Sequence, residues 1–364
     1  RDRVFDLGPA IDMSVTRILR EKAIGETRWV AYDASDRPIA LRLDRWSDQT
    51  SRAQVGTIAE GRIRAIHERQ GGAFVELSHG TEAFVRLNDG HGLTEGQSIE
   101  VQTVAEARRG KLARVVRVES REKSQPRLDP VDVWQKSLPL GTEVKPENVP
   151  AGDLEIQAAF DDALSESVTL PGGGTLQIQP TAALVAVDLD TSGRNDGGRA
   201  AARALRINLE ACRELARQMN LRNLGGAVVL DCVSPINREA GIKIRNGFLS
   251  AFADLSQRQI KALAPSPFGL MEASVAWGET PIADRMLGAD GLPTDETVCL
   301  EGLRHLQREA RAQPMARFQL NMPARAHSWM TGSGLDLQAS LDESFGARLT
   351  ISPHTKSKPE VFQI

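Results

Sequence analysis

The chain predicts an α/β protein with a small β-barrel ahead of its main layer and a small α+β module at its carboxyl end. Three observations carry this. Short alternating apolar segments recur at close spacing over residues 55–118, as in an antiparallel barrel. A strand–helix–strand pattern runs through residues 183–231, and a further helix with three short strands falls beyond residue 299. At 364 residues there is room for two or three domains.

Residues 1–54 give alternating segments at 28–33 and 39–43 joined by the turn Asp36-Arg37-Pro38, a hairpin, with a short helical or turn segment between Leu19 and Ile24. Residues 55–118 give five strands, over 56–66, 72–77, 82–87, 98–104 and 112–118, which fits an OB-type barrel. Phe74 and Phe84 fall in successive strands, and Arg62, Arg64, Arg86, Arg108, Arg109 and Lys111 add positive charge. On an OB face such residues bind single-stranded nucleic acid by stacking bases beside cations. The same spacing equally suits two core phenylalanines under a solvated basic face. Residues 119–150 carry prolines at 126, 130, 139, 146 and 150 and read as an extended linker. Residues 151–180 hold a short helix near 159–164 and a hairpin turning on Pro171-Gly172-Gly173-Gly174. That glycine run is not a phosphate loop, because no Gly-Lys-Ser/Thr follows it.

In residues 181–284 an apolar run, 182–187, stops at Asp188-Leu189-Asp190, and a polar turn leads into a helix marked by Leu205, Leu209, Cys212, Leu215 and Met219. After Gly225-Gly226 a second apolar run ends at Asp231. Parallel strands joined by a crossover helix place both carboxyl ends at one sheet edge, where α/β sheets bind ligands. Asp188 and Asp231 then lie close together, with Asp190 further along the first strand. Clustered carboxylates repel unless a cation joins them, and an oxygen-only set suits a hard ion such as Mg²⁺. The plain alternative is that each aspartate merely ends a strand and caps the next helix. A helix over 237–255, a strand over 260–263 and the segment Phe268-Gly269-Leu270-Met271-Glu272 complete the layer, with Glu272 a further acidic candidate. Residues 285–298 read as a second linker, and residues 299–364 as the terminal module, with a helix near 301–312 and strands near 317–320, 347–351 and 361–364.

Composition excludes several classes. Cys212, Cys232 and Cys299 are far apart with no Cys-x-x-Cys pair, and six scattered histidines give no zinc-ligand spacing. No apolar run approaches transmembrane length and Arg1-Asp2-Arg3-Val4 is not a signal-peptide start, so a cytoplasmic protein without membrane contact is expected. A net charge of -3 leaves room for local basic patches.

The run Val185-Ala186-Val187-Asp188-Leu189-Asp190-Thr191 resembles the catalytic strand of the ribonuclease E/G family. Asn208-Leu209-Glu210-Ala211, Leu221-Arg222-Asn223-Leu224-Gly225-Gly226, Val229-Leu230-Asp231, Phe268-Gly269-Leu270-Met271-Glu272 and the hairpin Thr169-Leu170-Pro171-Gly172-Gly173-Gly174 are similar too. The likeness extends to Gly72-Ala73-Phe74-Val75 and Ala83-Phe84-Val85. It implies a Mg²⁺-dependent endoribonuclease that cuts single-stranded RNA and leaves 5′-phosphate ends. It implies Asp188 and Asp231 as metal ligands, and Phe74 and Phe84 as RNA-stacking positions beside Arg108, Arg109 and Lys111. Asp190 stands where the family usually has Asn; it would position a water or act as a third catalytic carboxylate. The implied architecture is a ribonuclease-H-like fold divided into residues 1–54 and 151–180 around the OB barrel, followed by a deoxyribonuclease-I-like layer over 181–284.

The chain departs from that family in three places. The stretch between barrel and Gly152 is short and lacks the Arg-Thr-Ala signature of 5′-end sensing. No Cys-Pro-x-Cys pair exists over 285–299, so any homo-oligomer would form without a zinc link. Ala273-Ser274-Val275-Ala276-Trp277 stands where the family carries Arg and Lys. These departures motivate the alternative of a non-catalytic RNA-binding homologue acting as chaperone or assembly factor.

Overall fold

The computed structural model describes residues 13–50, 52–78, 80–87, 92–118, 129–140 and 143–364. The expectations for residues 1–12, and the parts of the 119–150 linker at 119–128 and 141–142, lie outside the described residues.

Strands β1 (Val15–Ala23), β2 (Glu26–Asp33) and β3 (Pro38–Arg45) form an antiparallel meander. Leu19 is therefore inside a strand, not in a helical segment; Ile18 and Leu19 are both buried, in the cores on opposite faces of the sheet. The β2–β3 turn is closed by the Asp33 carboxylate, which accepts from the Ser35 and Arg37 amides at 2.8 and 3.0 Å. Then β4 (Ile58–His67), β5 (Gly72–Leu77), β6 (Glu82–Arg86), β7 (Ser98–Ala105) and β8 (Ala113–Arg117) close a barrel in the order β4-β5-β6-β8-β7. Its interior is filled by small and β-branched side chains such as Ile63, Val75, Val85, Val101 and Val115.

After the barrel, the segment expected as a linker contains helix α1 (Pro130–Ser137) and strand β9 (Glu147–Val149). Pro130 sits in the first turn, where its missing N–H costs nothing, and Asp129 caps the helix by accepting from the Val131 amide. The prolines that suggested extended chain thus start a helix in one case. Strand β9 pairs in parallel with β1, so the first sheet runs β3-β2-β1-β9 and takes strands from both sides of the barrel in sequence. Helix α2 (Leu154–Leu164) packs Ile156 and Phe160 against one face of this sheet.

A six-stranded sheet follows. It is built from β10 (Ser167–Thr169), β11 (Thr175–Pro180), β12 (Val185–Asp190), β13 (Gly226–Asp231), β14 (Ile260–Ala262) and β15 (Leu270–Val275), in the order β10-β11-β12-β13-β15-β14. The β10–β11 hairpin is hydrogen-bonded to β12, so residues 167–180 belong to this sheet rather than to the fold of residues 1–54. Helix α3 (Ala200–Leu221) crosses between the parallel strands β12 and β13, and α4 (Arg238–Ala253) starts at the N-cap Asn237.

Helix α3 lies between the two sheets. Its apolar stripe meets the six-stranded sheet in one continuous core that also includes Trp29, Ile39 and Ala40 of the first sheet. On its other side the buried Arg217 donates to the Pro38 carbonyl at 2.6 Å and the half-buried Asn220 to the Ile39 carbonyl at 2.9 Å. These bonds satisfy backbone carbonyls of β3 where it meets the helix.

Helix α5 (Ile282–Met286) and a short loop lead to α6 (Asp295–Ala312), β16 (Phe318–Pro323), α7 (Ala324–Gly332), α8 (Leu337–Phe345), β17 (Leu349–His354) and β18 (Glu360–Gln363). Thr294 caps α6 through the Thr297 amide, so the helix begins six residues before the expected start and shortens the second linker. The two helices α7 and α8 were not expected. The three strands pair as β17-β16-β18. No helix among the described residues is long and apolar enough to cross a membrane.

The barrel is pinned to the body through ion pairs and backbone contacts. Glu106, 2 % exposed, pairs with Arg52 and accepts from the Val55 and Thr280 amides at 3.1 and 2.9 Å. Nearby, Glu279 accepts from Arg42 at 2.8 Å beside a cavity of about 250 Å³ that Trp134, Asn220, Asn223 and Arg258 also line. Burial pushes the Glu279 carboxyl up from its ordinary 4.5 to about 7; Arg42 opposes the rise and Glu106 adds to it. The folded state therefore holds a proton that the unfolded chain releases, and stability falls as pH rises between about 4.5 and 7. Glu279→Gln, which cannot ionise, is expected to flatten that part of the melting-temperature profile between pH 5 and 7.5. An unchanged slope in the variant would remove Glu279 as its source.

Candidate functional site

Alternation along β12 buries Val185, Val187 and Leu189 against the helices and turns Asp188 and Asp190 to the other, exposed face. On β13 the same alternation buries Val228 and Leu230 and exposes Asp231. The parallel register pairs Val187 with Leu230, so Asp188 and Asp231 stand side by side on strands about 4.8 Å apart. Gln177 of β11 is opposite Asp188, and Leu270 of β15 is opposite Asp231. Glu272, opposite Val229, adds a third carboxylate to the face one strand over. Among the described residues neither the Asp188 nor the Asp231 side chain makes a hydrogen bond or ion pair.

Asp190 is engaged differently. Its carboxylate accepts from the Ser192 amide at 2.8 Å, and the Ser192 hydrogen bonds hold it below the usual carboxylate range. It sits two residues beyond Asp188, about 6.6 Å along the strand. That hydrogen bond shapes the turn that leaves β12.

Two side chains of α3 fix the loops around the acids. Asn208, fully buried, donates to the Val233 carbonyl and accepts from the Val233 amide, both at 2.9 Å, which anchors the chain just after Asp231. Glu210 accepts from the Gly172 amide and from Arg194 at 2.7 Å, while Arg194 also donates to the Gly173 carbonyl at 2.7 Å and to Asp196 at 2.6 Å. The glycine turn is thereby clamped against the end of β12. Gly174 has φ +77°, and a Cβ there would lie 2.5 Å from the Asp190 carbonyl, so close backbone approach is what its glycine provides.

On the barrel, Phe74 and Phe84 point outward, which excludes the reading of both as barrel core. They face each other across β5 and β6 with ring centroids 5.6 Å apart, edge to face, and His67 meets Phe74 at 5.1 Å. Arg114 is the strand partner of Phe84 on β8. Arg108 and Arg109 lie elsewhere, at the junction with the body. The Arg108 guanidinium lies 4.2 Å from the Trp277 ring centroid, and its pKa is lowered by burial and by Arg114. The Arg109 amide donates to Asp284 at 3.1 Å and its side chain to the Gly288 carbonyl at 3.1 Å. Lys111 is exposed and bridges to Arg108 through backbone hydrogen bonds. The structure thus brings Phe74 and Phe84 together with Arg114, which also lies within electrostatic reach of Arg108, while Arg109 is engaged at the junction.

The stretch 273–277 also finds its explanation. Ala273 and Val275 face the helices and are buried, and Trp277 packs over Gly225 and Gly226 beneath Arg108. Only Ser274 of β15 faces outward there, and its partner on β14 is the exposed Lys261. Sequence alone does not single out His67, Arg114, Gln177 or Lys261, because only strand register reveals which residues share a face.

The donor set admits a small hard cation: two solvent-facing carboxylates with room for water. No group of three or more His, Cys, Asp or Glu that could hold a metal exists among the described residues, which disfavours ions that demand a closed protein shell.

The model of the ribonuclease E/G family matches residues 89–275, just over half of the chain. Ribonuclease E of Haemophilus influenzae is 29% identical over 248 residues, covering 65% of this chain and 25% of that protein. Ribonuclease E of Nostoc sp. is 36% identical over 120 residues, 33% of this chain and 17% of the relative. Ribonuclease G of Salmonella typhimurium is 26% identical over 228 residues, 59% of this chain and 45% of the relative. The matched stretches span less than half the length of these relatives. The match takes in both aspartates of the open face and covers more than half of the chain, which belongs to the ribonuclease E/G family.

Proposed function

We propose that this chain is a Mg²⁺-dependent endoribonuclease that hydrolyses phosphodiester bonds of single-stranded RNA and leaves 5′-phosphate ends. The observation that carries the reading is the pair Asp188 and Asp231, adjacent and solvent-facing on an open sheet face, their carboxylates without a partner among the described residues. Carboxylates so placed repel phosphate unless a cation intervenes, so a purely RNA-binding surface gains nothing from them. Asp188 and Asp231 would hold Mg²⁺, which supplies Lewis-acid polarisation of the phosphate and activation of water when bound. Asn208 and Glu210 keep the two flanking loops in place, and Asp190 holds the turn beyond. Phe74 and Phe84, with His67 and Arg114 beside them, present an aromatic surface with adjoining charge for single-stranded bases. We read the four-stranded sheet as the divided ribonuclease-H-like part and the six-stranded layer as the deoxyribonuclease-I-like part.

A second reading, RNA binding without cleavage, is favoured by one observation: along β15 the open face carries Ser274, with Lys261 as the neighbouring cation, in place of a basic strand. A cleavage assay on end-labelled single-stranded RNA separates the two. Magnesium-dependent cutting that chelator abolishes supports the nuclease. Salt-sensitive binding with no cutting in magnesium would leave the second reading standing.

A further inference from the structure

We propose that Phe268 is a stacking platform for the nucleobase next to the phosphate bound at Asp188 and Asp231, and so positions RNA on the open face. The proposal rests on the nuclease reading above. Phe268 is 88 % exposed and Leu263 63 %, although the phenylalanines of α4 are fully buried. The Phe268 ring is not on a loose tip. The turn that carries it is closed by Ser266 N to Leu270 O and Gly269 N to Ser266 O, both 2.9 Å, and by Phe268 N to Ser266 Oγ at 3.3 Å. Cys232 N donates to the Gly269 carbonyl at 3.0 Å, tying the turn to the residue after Asp231. Gly269 has φ +87°, and a Cβ there would stand 3.8 Å from Asp231 Oδ1, so the turn's backbone passes directly beside the carboxylate. The phenylalanine one residue earlier is thus held at the rim of the acidic pair.

The surroundings select the occupant. The Leu263 amide donates to the Glu272 carbonyl at 2.8 Å, continuing the β14 pairing on which Lys261 is exposed beside Ser274. Two exposed apolar side chains, Phe268 and Leu263, near Lys261 and the carboxylates are few for a protein interface, which needs a larger contiguous apolar patch. A nucleotide matches it: its base offers a π-face to Phe268 and its phosphate brings the anion that a cation at the aspartates requires.

The test uses the whole chain with Phe268→Ala, Phe268→Leu and Phe268→Trp. Binding of a fluorescent, cleavage-resistant oligouridylate is followed by anisotropy in magnesium, and cleavage of the unmodified sequence is followed in the same buffer. An abasic site is scanned along the oligonucleotide. Phe268→Ala and Phe268→Leu are expected to weaken binding about tenfold, and Phe268→Trp to keep wild-type affinity. At one abasic position the wild type is expected to lose the same factor and Phe268→Ala to lose nothing more. Wild-type affinity in Phe268→Leu, or an abasic penalty independent of residue 268, overturns the stacking role; the first result would point to a protein contact instead. If the wild type binds but never cuts, the nuclease reading falls, while the binding and abasic measurements still decide the role of Phe268.

Discussion

Asp188→Asn and Asp231→Asn are each expected to lower RNA cleavage in magnesium by about a thousandfold or more while leaving RNA affinity largely intact. Each substitution removes one of the two adjacent anionic ligands, leaving Glu272 one strand over as the further carboxylate of the face. The metal's electrostatic contribution to phosphate chemistry is worth several kcal/mol, and each 1.4 kcal/mol is about tenfold in rate. Asn keeps the shape of Asp, and both positions are exposed at a strand end, so folding should be unaffected. Asp190→Asn is expected to be milder, because an amide oxygen can still accept from the Ser192 amide. Initial rates on end-labelled RNA, with anisotropy for affinity, make the comparison. A double variant Asp188→Asn/Asp231→Asn that cuts at the wild-type rate would refute the assignment.

Glu26→Gln is expected to destabilise the fold by about 3–5 kcal/mol, read as a shift in the urea midpoint with an unchanged slope. Glu26 is 1 % exposed and pairs with two buried cations, Arg304 of α6 and Arg45 of β3, the latter at 3.3 Å. Burial already lowers Arg304 to about 10 against the pull of Glu21, so loss of the Glu26 carboxylate removes the direct ion pair of a buried guanidinium and leaves it Glu21 and the Gln157 oxygen. Arg45 keeps Glu296 at 3.1 Å and the Thr297 hydroxyl at 3.0 Å, which makes Arg304 the weak point. Replacing both partners, as in Glu26→Leu/Arg304→Met, is expected to recover much of the loss, since apolar isosteres leave no uncompensated charge. If Glu26→Gln unfolds at the wild-type midpoint, the first sheet and the terminal module are not held together by this pair.

The strand–helix–strand unit over 183–231 was legible because its periodicities differ sharply. Apolar runs end at Asp188 and Asp231, and a 3.6-residue stripe lies between. The five barrel strands were legible for the same local reason. Their faces were not: Phe74 and Phe84 fit both core and surface until the register showed Ala73, Val75, Ala83 and Val85 inside. Helix α1 and strand β9 were missed because proline is ambiguous by itself. It starts a helix when a cap such as Asp129 precedes it, and a three-residue strand carries no period to detect. The hairpin 167–180 was correctly seen as a hairpin but given to the wrong sheet, since pairing between β11 and β12 leaves no mark in local composition.

What the sequence by itself determined is therefore the local grammar. It showed which segments are strands and helices, that two acid-terminated strands flank one helix, and that its ordered motifs are those of one family. Only the tertiary structure decided which residues meet. It set Asp188 beside Asp231 with neither carboxylate partnered among the described residues, turned Asp190 into its own loop, committed Arg108 and Arg109 to the junction between barrel and body, and brought the Phe268 turn against Asp231. The physical reason is that patterning reports burial along one element, whereas register, crossover and the docking of one layer on another are set by contacts between residues far apart in the chain.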